Sequence, residues 1–419
     1  MEPYEADDFY ESWSREMLYT IIERVRMKTH ISHKLASRAV SVVFQSLNAL
    51  PPFEIDQVFK TFDNGPSEVP VSVLDKTEDM IQLLKLSDNL NSVKNDAQQR
   101  SWELFDDQAS IVNCLNELKS ILKDADISVT LRFLQVSDYG IVGCLAEYYQ
   151  MESRWPIKMI VLQIFDVLCI LSRTAVQILL GSVLPLELTR DIQVNHSDKE
   201  RLFACLRVII KIFAIGEPIP VFYFDTINKD FILFLLNLIE TPSDDPDLEE
   251  NVIEMIHFIL VYNLQFKSGL GSENITINAL EEAENPKIFS ETLLLLFNRG
   301  KDPVKILEHE PYPSNSLLKM ITDIFSSETA SNIFYKNDVK VLIEIVLRQL
   351  TDDLPNSKES MQWLGLIKQI LVKTDRTVYE DHLDETKSCI TRISGVVEDT
   401  NHEASELIRE ILDLISSCR

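Results

Sequence analysis

Glycine is scarce in this chain, 10 residues in 419. Loops that cradle phosphate need glycine where backbone N–H groups close on an anion, and no segment gathers enough of it. The one close pair, Ser268-Gly269-Leu270-Gly271-Ser272, follows no strand and has neither a Walker lysine nor a dinucleotide spacing. Positive charge is also short: 40 Lys and Arg stand against 66 Asp and Glu, a formal net charge of −26. Such a chain repels phosphate backbones and anionic lipid surfaces, which argues against nucleic acid and membrane partners and for a basic or mixed protein surface. No cysteine pair has C-x-x-C spacing. Cys114, Cys144, Cys169, Cys205, Cys389 and Cys418 are scattered, as expected in a reducing compartment. Long apolar runs are absent too. The stretch Phe231 to Ile239 is too short to span a bilayer, and the acidic N-terminal MEPYEADDFYE does not read as a secretory or mitochondrial leader.

What is present is helical periodicity. Leu202, Phe203, Leu206, Ile209, Ile210 and Phe213 recur at the spacing of one apolar helix face, behind an S-x-x-E capping box at Ser197 to Glu200. Val339, Leu342, Ile343 and Val346 repeat the pattern, as do Leu407, Ile408, Ile411, Leu412 and Ile415. The helix Met159 to Leu171 is apolar on more than one face, as expected where a helix is packed between neighbours. No alternating apolar and polar run is bounded by hairpin turns. The segment Leu179 to Asp191, LLGSVLPLELTRD, is a tight corner: one helix runs into Gly181, Pro185 starts another, and Arg190 and Asp191 end it.

Other breaks fall at Pro51-Pro52, Asn64 to Pro70, Gly216 to Pro220, Thr241 to Asp247, Lys267 to Asn274, Arg299 to Ser314 and near Pro355. Helices joined by short loops over this length predict an all-α fold, an α-solenoid of armadillo or HEAT kind, with a compact bundle as the other option. The expected organisation is one armadillo-like domain over 1–419. Within it, 1–125 form an N-terminal helical part with a long polar helix, and 126–419 form the leucine-rich core.

The chemistry-bearing residues form no catalytic constellation. His30 and His33 lack the Cys or second His pair of a metal site. His257 lies in an apolar helix and reads as a packed residue, and His309-Glu310 as a turn. Asn195-His-Ser and Asn274-Ile-Thr match glycosylation acceptors by chance in a chain with no secretion signal. Paired acids such as Asp244-Asp245 and Asp352-Asp353 sit in loops. The expectation is a protein that is not an enzyme, takes no cofactor or metal, and acts by binding.

Two segments, Leu179 to Asp191 and Pro286 to Lys305 (PKIFSETLLLLFNRGKDPVK, continued by His309-Glu310-Pro311), resemble one family. Ile333 to Leu350 and ISHKLASRAVSVV near the N-terminus resemble it more loosely. The family is the leucine-rich armadillo domain of the NCK-interacting protein with SH3 domain, also called Dia-interacting protein or WISH. The resemblance implies binding and activation of the actin-related protein 2/3 complex without a preformed mother filament. The product would be linear actin filaments that seed branched networks. It also implies an indirect link to the filament end, a cytoplasmic place at cortical or endocytic actin, and leaves a homodimer open. No P-x-x-P occurs, so binding to NCK through proline motifs is not expected. A general adaptor solenoid that docks signalling or endocytic partners is the alternative.

On an acidic chain, clustered cations are the informative exception. Arg299, Lys301 and Lys305 surround a Gly-Lys-Asp-Pro turn, and Lys340, Glu344 and Arg348 share a helix face at i, i+4, i+8. These five cations are the expected partner-binding residues. The competing reading has Arg299 and Lys305 satisfying helix-end carbonyls, and Glu344 bridging to Arg348.

Overall fold

The computed structural model describes residues 15–48, 69–99, 108–241, 247–266, 274–352, 358–395 and 402–417. All regular structure among them is helical. The breaks at Pro51-Pro52 and near Pro355, the loop Ser268 to Ser272, Asp244-Asp245, Asp353 and Cys418 lie outside the described residues, as do most of Asn64 to Pro70 and Thr241 to Asp247. The chain divides into two compact units, residues 1–184 and 185–419.

In the first unit the helices are α1 (Arg15–Thr29), α2 (His33–Asn48), α3 (Val71–Leu74), α4 (Glu78–Gln99), α5 (Gln108–Asp124), α6 (Ile127–Val136), α7 (Gly140–Met151), α8 (Trp155–Leu171) and α9 (Arg173–Leu180). The polar stretch after Leu74 is the long helix α4, which is bordered by α5, α6 and α7. It still buries Met80, Leu83, Leu86 and Leu90, one apolar stripe at helical spacing. Helix α8 buries one broad face through Ile157, Val161, Leu162, Ile164, Phe165, Leu168 and Cys169 and leaves Gln163 and Ile170 exposed, so the expectation of burial on more than one face is corrected to a single wide face.

Ions as well as hydrocarbon hold this unit together. Arg26 on α1 pairs with Glu23 at 2.9 Å and with Asp79 of α4, both Arg26 and Asp79 having side chains 8% exposed. His33 Nδ1 lies 2.6 Å from the other Glu23 oxygen, and its Nε2 3.8 Å from Asp126. Burial pushes the Asp79 carboxyl above its ordinary range, against the pull of Arg26. Burial acts on Glu23 as well, but hydrogen bonds from His33 and Arg26 prevail and hold it low. His33 is thus part of a buried ionic cluster.

The second unit begins in the first turn of α10 (Leu184–Val194). It continues with α11 (Lys199–Phe213), a 3-10 turn at Val221–Asp225, α12 (Lys229–Glu240), α13 (Asp247–Asn263), α14 (Ile275–Glu282), α15 (Lys287–Asn298) and α16 (Ser316–Ser326). A 3-10 turn at Ala330–Ile333 leads to α17 (Lys336–Asp352), α18 (Lys358–Lys373), α19 (Arg376–Tyr379) and a 3-10 turn at Glu380–His382, then α20 (Leu383–Ser394) and α21 (His402–Ser417). Two helix ends differ from what the residues alone predict. Helix α10 runs on to Val194, past Arg190 and Asp191, because neither residue breaks a helix and Ile192 is buried on the same face as Leu188. The cap of α11 is Asp198, whose carboxylate accepts the Arg201 N–H at 3.2 Å, and not Ser197.

Helices of this unit stack in two rows. One row is α11, α13, α16, α18, α21, each packed on the one before; the other passes from α12 through α14 and α15 to α17 and α20. At the start of the first row an aromatic block forms: Phe213 lies 6.0 Å from Phe258, Phe231 meets Phe258 edge-on at 5.7 Å, and Phe258 stacks on Tyr262 at 5.9 Å. All four rings are fully buried, and the Tyr262 hydroxyl donates to the Ile227 carbonyl.

In the second row the helices run parallel at a nearly fixed sequence offset. Tyr335 hydroxyl donates to Asn285 Oδ1 at 3.1 Å just before α17 and α15 begin, and Arg348 reaches Asn298 at their other ends, both pairs 50 residues apart. Lys340 to Asp381 and Arg392 to Thr351, each 41 residues apart, fix α17 against α20 in the same way. The 41-residue offset is that of armadillo and HEAT repeats, and the 50-residue one is slightly longer.

Candidate functional site: a basic edge at the helix ends

Because α15, α17 and α20 are parallel, their C-terminal ends gather on one edge of the second unit. Helix α15 stops where the Arg299 N–H reaches the carbonyls of Leu295 and Leu296, at 3.3 and 3.1 Å, and the Gly300 N–H reaches Phe297 at 3.2 Å. Gly300 has φ of +69°, left-handed backbone that suits glycine. Backbone groups therefore close this helix, and the exposed Arg299 side chain is free of the capping role the sequence allows it.

The following turn is built on Asp302. Its carboxylate accepts the Val304 N–H at 3.1 Å, the Ser316 N–H at 2.8 Å and the Ser316 hydroxyl at 2.7 Å. Asn315 caps α16 through the Leu318 N–H at 3.0 Å. Lys301 and Lys305 flank this turn, both exposed, with the Lys305 ammonium 4.4 Å from the centre of the Tyr312 ring. Together with Gly300, Asn315, Gln349 and Trp363 they border an open cleft of about 440 Å³.

A second loop braces the first. Gly216, φ +65°, lies so close to Pro313 that a Cβ there would come within 2.7 Å of the proline Cβ. The GEPIP break and the Arg299 to Ser314 break are thus one packed feature.

Arg348 donates to the Asn298 carbonyl at 3.2 Å and to its Oδ1 at 2.9 Å, so it ties α17 to the end of α15. The expected Glu344 partnership with Arg348 gives way to these bonds, and Glu344 lies 3.9 Å from His382. Lys340 is at the other end of α17, bound to Asp381 at 2.9 Å and holding that carboxyl below its ordinary range. The structure therefore brings Arg299, Lys301, Lys305 and Arg348 to one edge and leaves Lys340 about 12 Å away along the helix. Arg392, two residues from the end of α20, belongs to the same edge and escaped the sequence reading.

Elsewhere the polar residues serve the scaffold. Asn274 is the N-cap of α14: its Oδ1 accepts from Thr276 and Ile277 at 3.0 and 3.4 Å, and its amide donates to Asn263 at 2.8 Å. His257 Nδ1 lies 3.5 Å from Glu254. Among the described residues, no His, Cys, Asp and Glu group has the arrangement of a metal site, and no helix is long and apolar enough to cross a membrane.

The stacked rows of the second unit define a helical repeat protein whose exposed cations collect at the helix ends. Residues 249–385 match the SPIN90/Ldb17 leucine-rich domain. That segment is 137 of the 419 residues, about a third of the chain. It is similar to Protein dip1 of Schizosaccharomyces pombe, 25% identical over 175 residues, or 39% of this chain and 44% of that protein. The matched stretch thus spans less than half the length of this relative. An engineered protein of known crystal structure aligns with 81% of this chain and 99% of its own at 11% identity and a TM-score of 0.34. The family match contains Arg299, Lys301, Lys305, Lys340 and Arg348 and stops seven residues short of Arg392.

Proposed function

We propose that this chain is a non-enzymatic nucleation-promoting factor. It binds the actin-related protein 2/3 complex through its helical repeat unit and activates it without a preformed mother filament, yielding linear filaments that seed branched networks. The observation that carries the reading is the family match over 249–385, which includes the motif Pro286 to Lys305 and most of the basic edge. A scaffold of this kind activates by differential binding: it holds the complex's active arrangement more tightly than its inactive one, and the population shifts accordingly. The protein works in the cytoplasm, at cortical or endocytic actin.

The test is bulk actin polymerisation with the purified complex, this protein and no verprolin-cofilin-acidic peptide. We expect acceleration without preformed filaments, and unbranched filaments when single filaments are imaged. No acceleration, or acceleration that requires added filaments, overturns the proposal and returns the protein to the class of general adaptor solenoids.

A further inference from the structure

We propose that the edge formed by the ends of α15, α17 and α20 binds an extended acidic peptide segment, with carboxylates spaced about three residues apart. The inference rests on the reading of this edge as a partner surface and names the chemistry of what it takes; it does not depend on which assembly supplies the segment.

The argument starts from charge. Elsewhere in the second unit several cations pair with carboxylates, Lys229 with Glu282, Lys340 with Asp381, Lys368 with Glu410, Lys373 with Glu328 and Arg376 with Glu380, while the exposed Lys336 is a single cation without an ion pair among the described residues. The edge differs. Arg348 is held by the carbonyl and amide oxygens of Asn298, and Arg392 by the Thr351 hydroxyl at 2.7 Å. Lys305 lies over an aromatic ring. Among the described residues, none of Arg299, Lys301, Lys305, Arg348 and Arg392 forms an ion pair. Neutral partners fix the two guanidinium groups while leaving their charge available. Asp302, in the adjoining turn, is already taken up by Val304 and Ser316, while Glu308 and Glu310 later in the same loop are exposed. On a chain of net charge −26, five cations without ion pairs on one edge are a local concentration of positive charge.

Spacing selects the ligand. Packed helices lie about 8–10 Å apart, so successive arginines Arg299, Arg348 and Arg392 are separated by about that distance along the edge. A polyproline II chain has three residues per turn and rises about 3.1 Å per residue, so every third side chain lies on one side about 9 Å apart, which places carboxylates at every third residue opposite them. The exposed Asp352 at the end of α17, four residues beyond Arg348, adds a negative charge to this edge and penalises a ligand with contiguous negative charge. A polyphosphate chain meets the same penalty, reinforced by the field of the whole protein.

The experiment uses the full chain and three fluorescein-labelled peptides: DSSDSSD, its isomer DDDSSSS and the cationic KSSKSSK. Fluorescence anisotropy at about 50 mM salt is expected to show tighter binding to DSSDSSD than to DDDSSSS, with affinity falling as salt rises, whereas any binding of KSSKSSK to the acidic remainder of the chain should not weaken in Arg392→Gln. Exposed charge pairs contribute about 0.2–1 kcal/mol each. Arg392→Gln, which keeps a donor for Thr351, should therefore weaken DSSDSSD binding about two- to fivefold. The triple variant R299E/R348E/R392E should weaken it at least about tenfold. Circular dichroism controls for folding, and if the triple variant unfolds the Arg392→Gln result decides. No binding by the wild type, equal binding of DSSDSSD and DDDSSSS, or an Arg392→Gln variant that binds as the wild type does overturns the inference. Polymerisation assays on the same preparations separate the two proposals. Nucleation that persists while peptide binding ignores Arg392 removes this inference alone, and wild-type peptide binding without nucleation removes the proposed function alone.

Discussion

Arg26→Ala is expected to destabilise the first unit by about 3–5 kcal/mol, the range for removing one member of a buried ion pair. The side chains of Arg26 and Asp79 are each 8% exposed, and Asp79 has no room to recover its hydration when the guanidinium goes. Glu23 loses a partner in the same substitution, although His33 still holds one of its oxygens at 2.6 Å. The deficit should depend on pH, and its sign follows from Asp79. Burial already raises this carboxyl and Arg26 opposes the rise, so without Arg26 it climbs further. A raised folded-state value means that protonation favours the folded form. The gap between variant and wild type should therefore narrow as pH falls and widen as pH rises through the raised value. Urea denaturation followed by circular dichroism over a pH series would measure this. Arg26→Met combined with Asp79→Leu should recover most of the loss, because it removes the orphaned charge along with its partner. A loss under about 1 kcal/mol for Arg26→Ala, or a gap that widens towards acid, would contradict this account.

The second large effect is expected at Asp323 on α16. Its carboxylate is 5% exposed and accepts from Asn263 at 2.9 Å, from Asn274 at 3.4 Å and from Lys319, whose side chain is 10% exposed. Three helices, α13, α14 and α16, meet at this one group, and Asn263 is completely buried. Asp323→Ala leaves a nearly buried ammonium and a buried amide without their acceptor. A loss of about 3–5 kcal/mol is expected, visible as a lower denaturation midpoint. Asp323→Asn should cost less, since it keeps an acceptor oxygen for Asn263 while losing the charge that balances Lys319. If the asparagine variant is as stable as the wild type, the charge on Asp323 contributes nothing and the ionic part of the account fails; if it is no more stable than the alanine variant, the acceptor for Asn263 contributes nothing.

The helices were legible in the sequence because their stripes of Leu, Ile and Phe follow the helical period and their ends are punctuated. The Gly300 turn and Asp302 lie inside the segment whose residues carry the family resemblance, and Ser316, which closes on Asp302, lies just beyond it. Boundaries were less legible. Ser197 and Asp198 are both good caps, and only the backbone geometry decides for Asp198. Helix α10 outruns Asp191 because nothing there forbids another turn and Ile192 gains by burial. The basic edge was legible in part. Arg299, Lys301 and Lys305 are neighbours in sequence, and Arg348 sits on the helix that repeats the pattern. Lys340 shares its helix face with Arg348 but not its end. Arg392 was missed because its place depends on the 41-residue offset between two parallel helices. That offset is a property of packing and leaves no local mark in the chain. The partnership of Arg26 with Asp79, across 53 residues, was hidden for the same reason.

The contact of Gly216 with Pro313 joins residues about a hundred positions apart, roughly twice the separation that relates neighbouring helices in the rows. Loops that long close at an entropic cost repaid only after the intervening segments have been drawn together. The brace beneath the Arg299 to Ser314 loop is therefore expected to close late, as a latch on the turn that presents Lys301 and Lys305, so that a substitution at Gly216 should speed unfolding more than it slows folding.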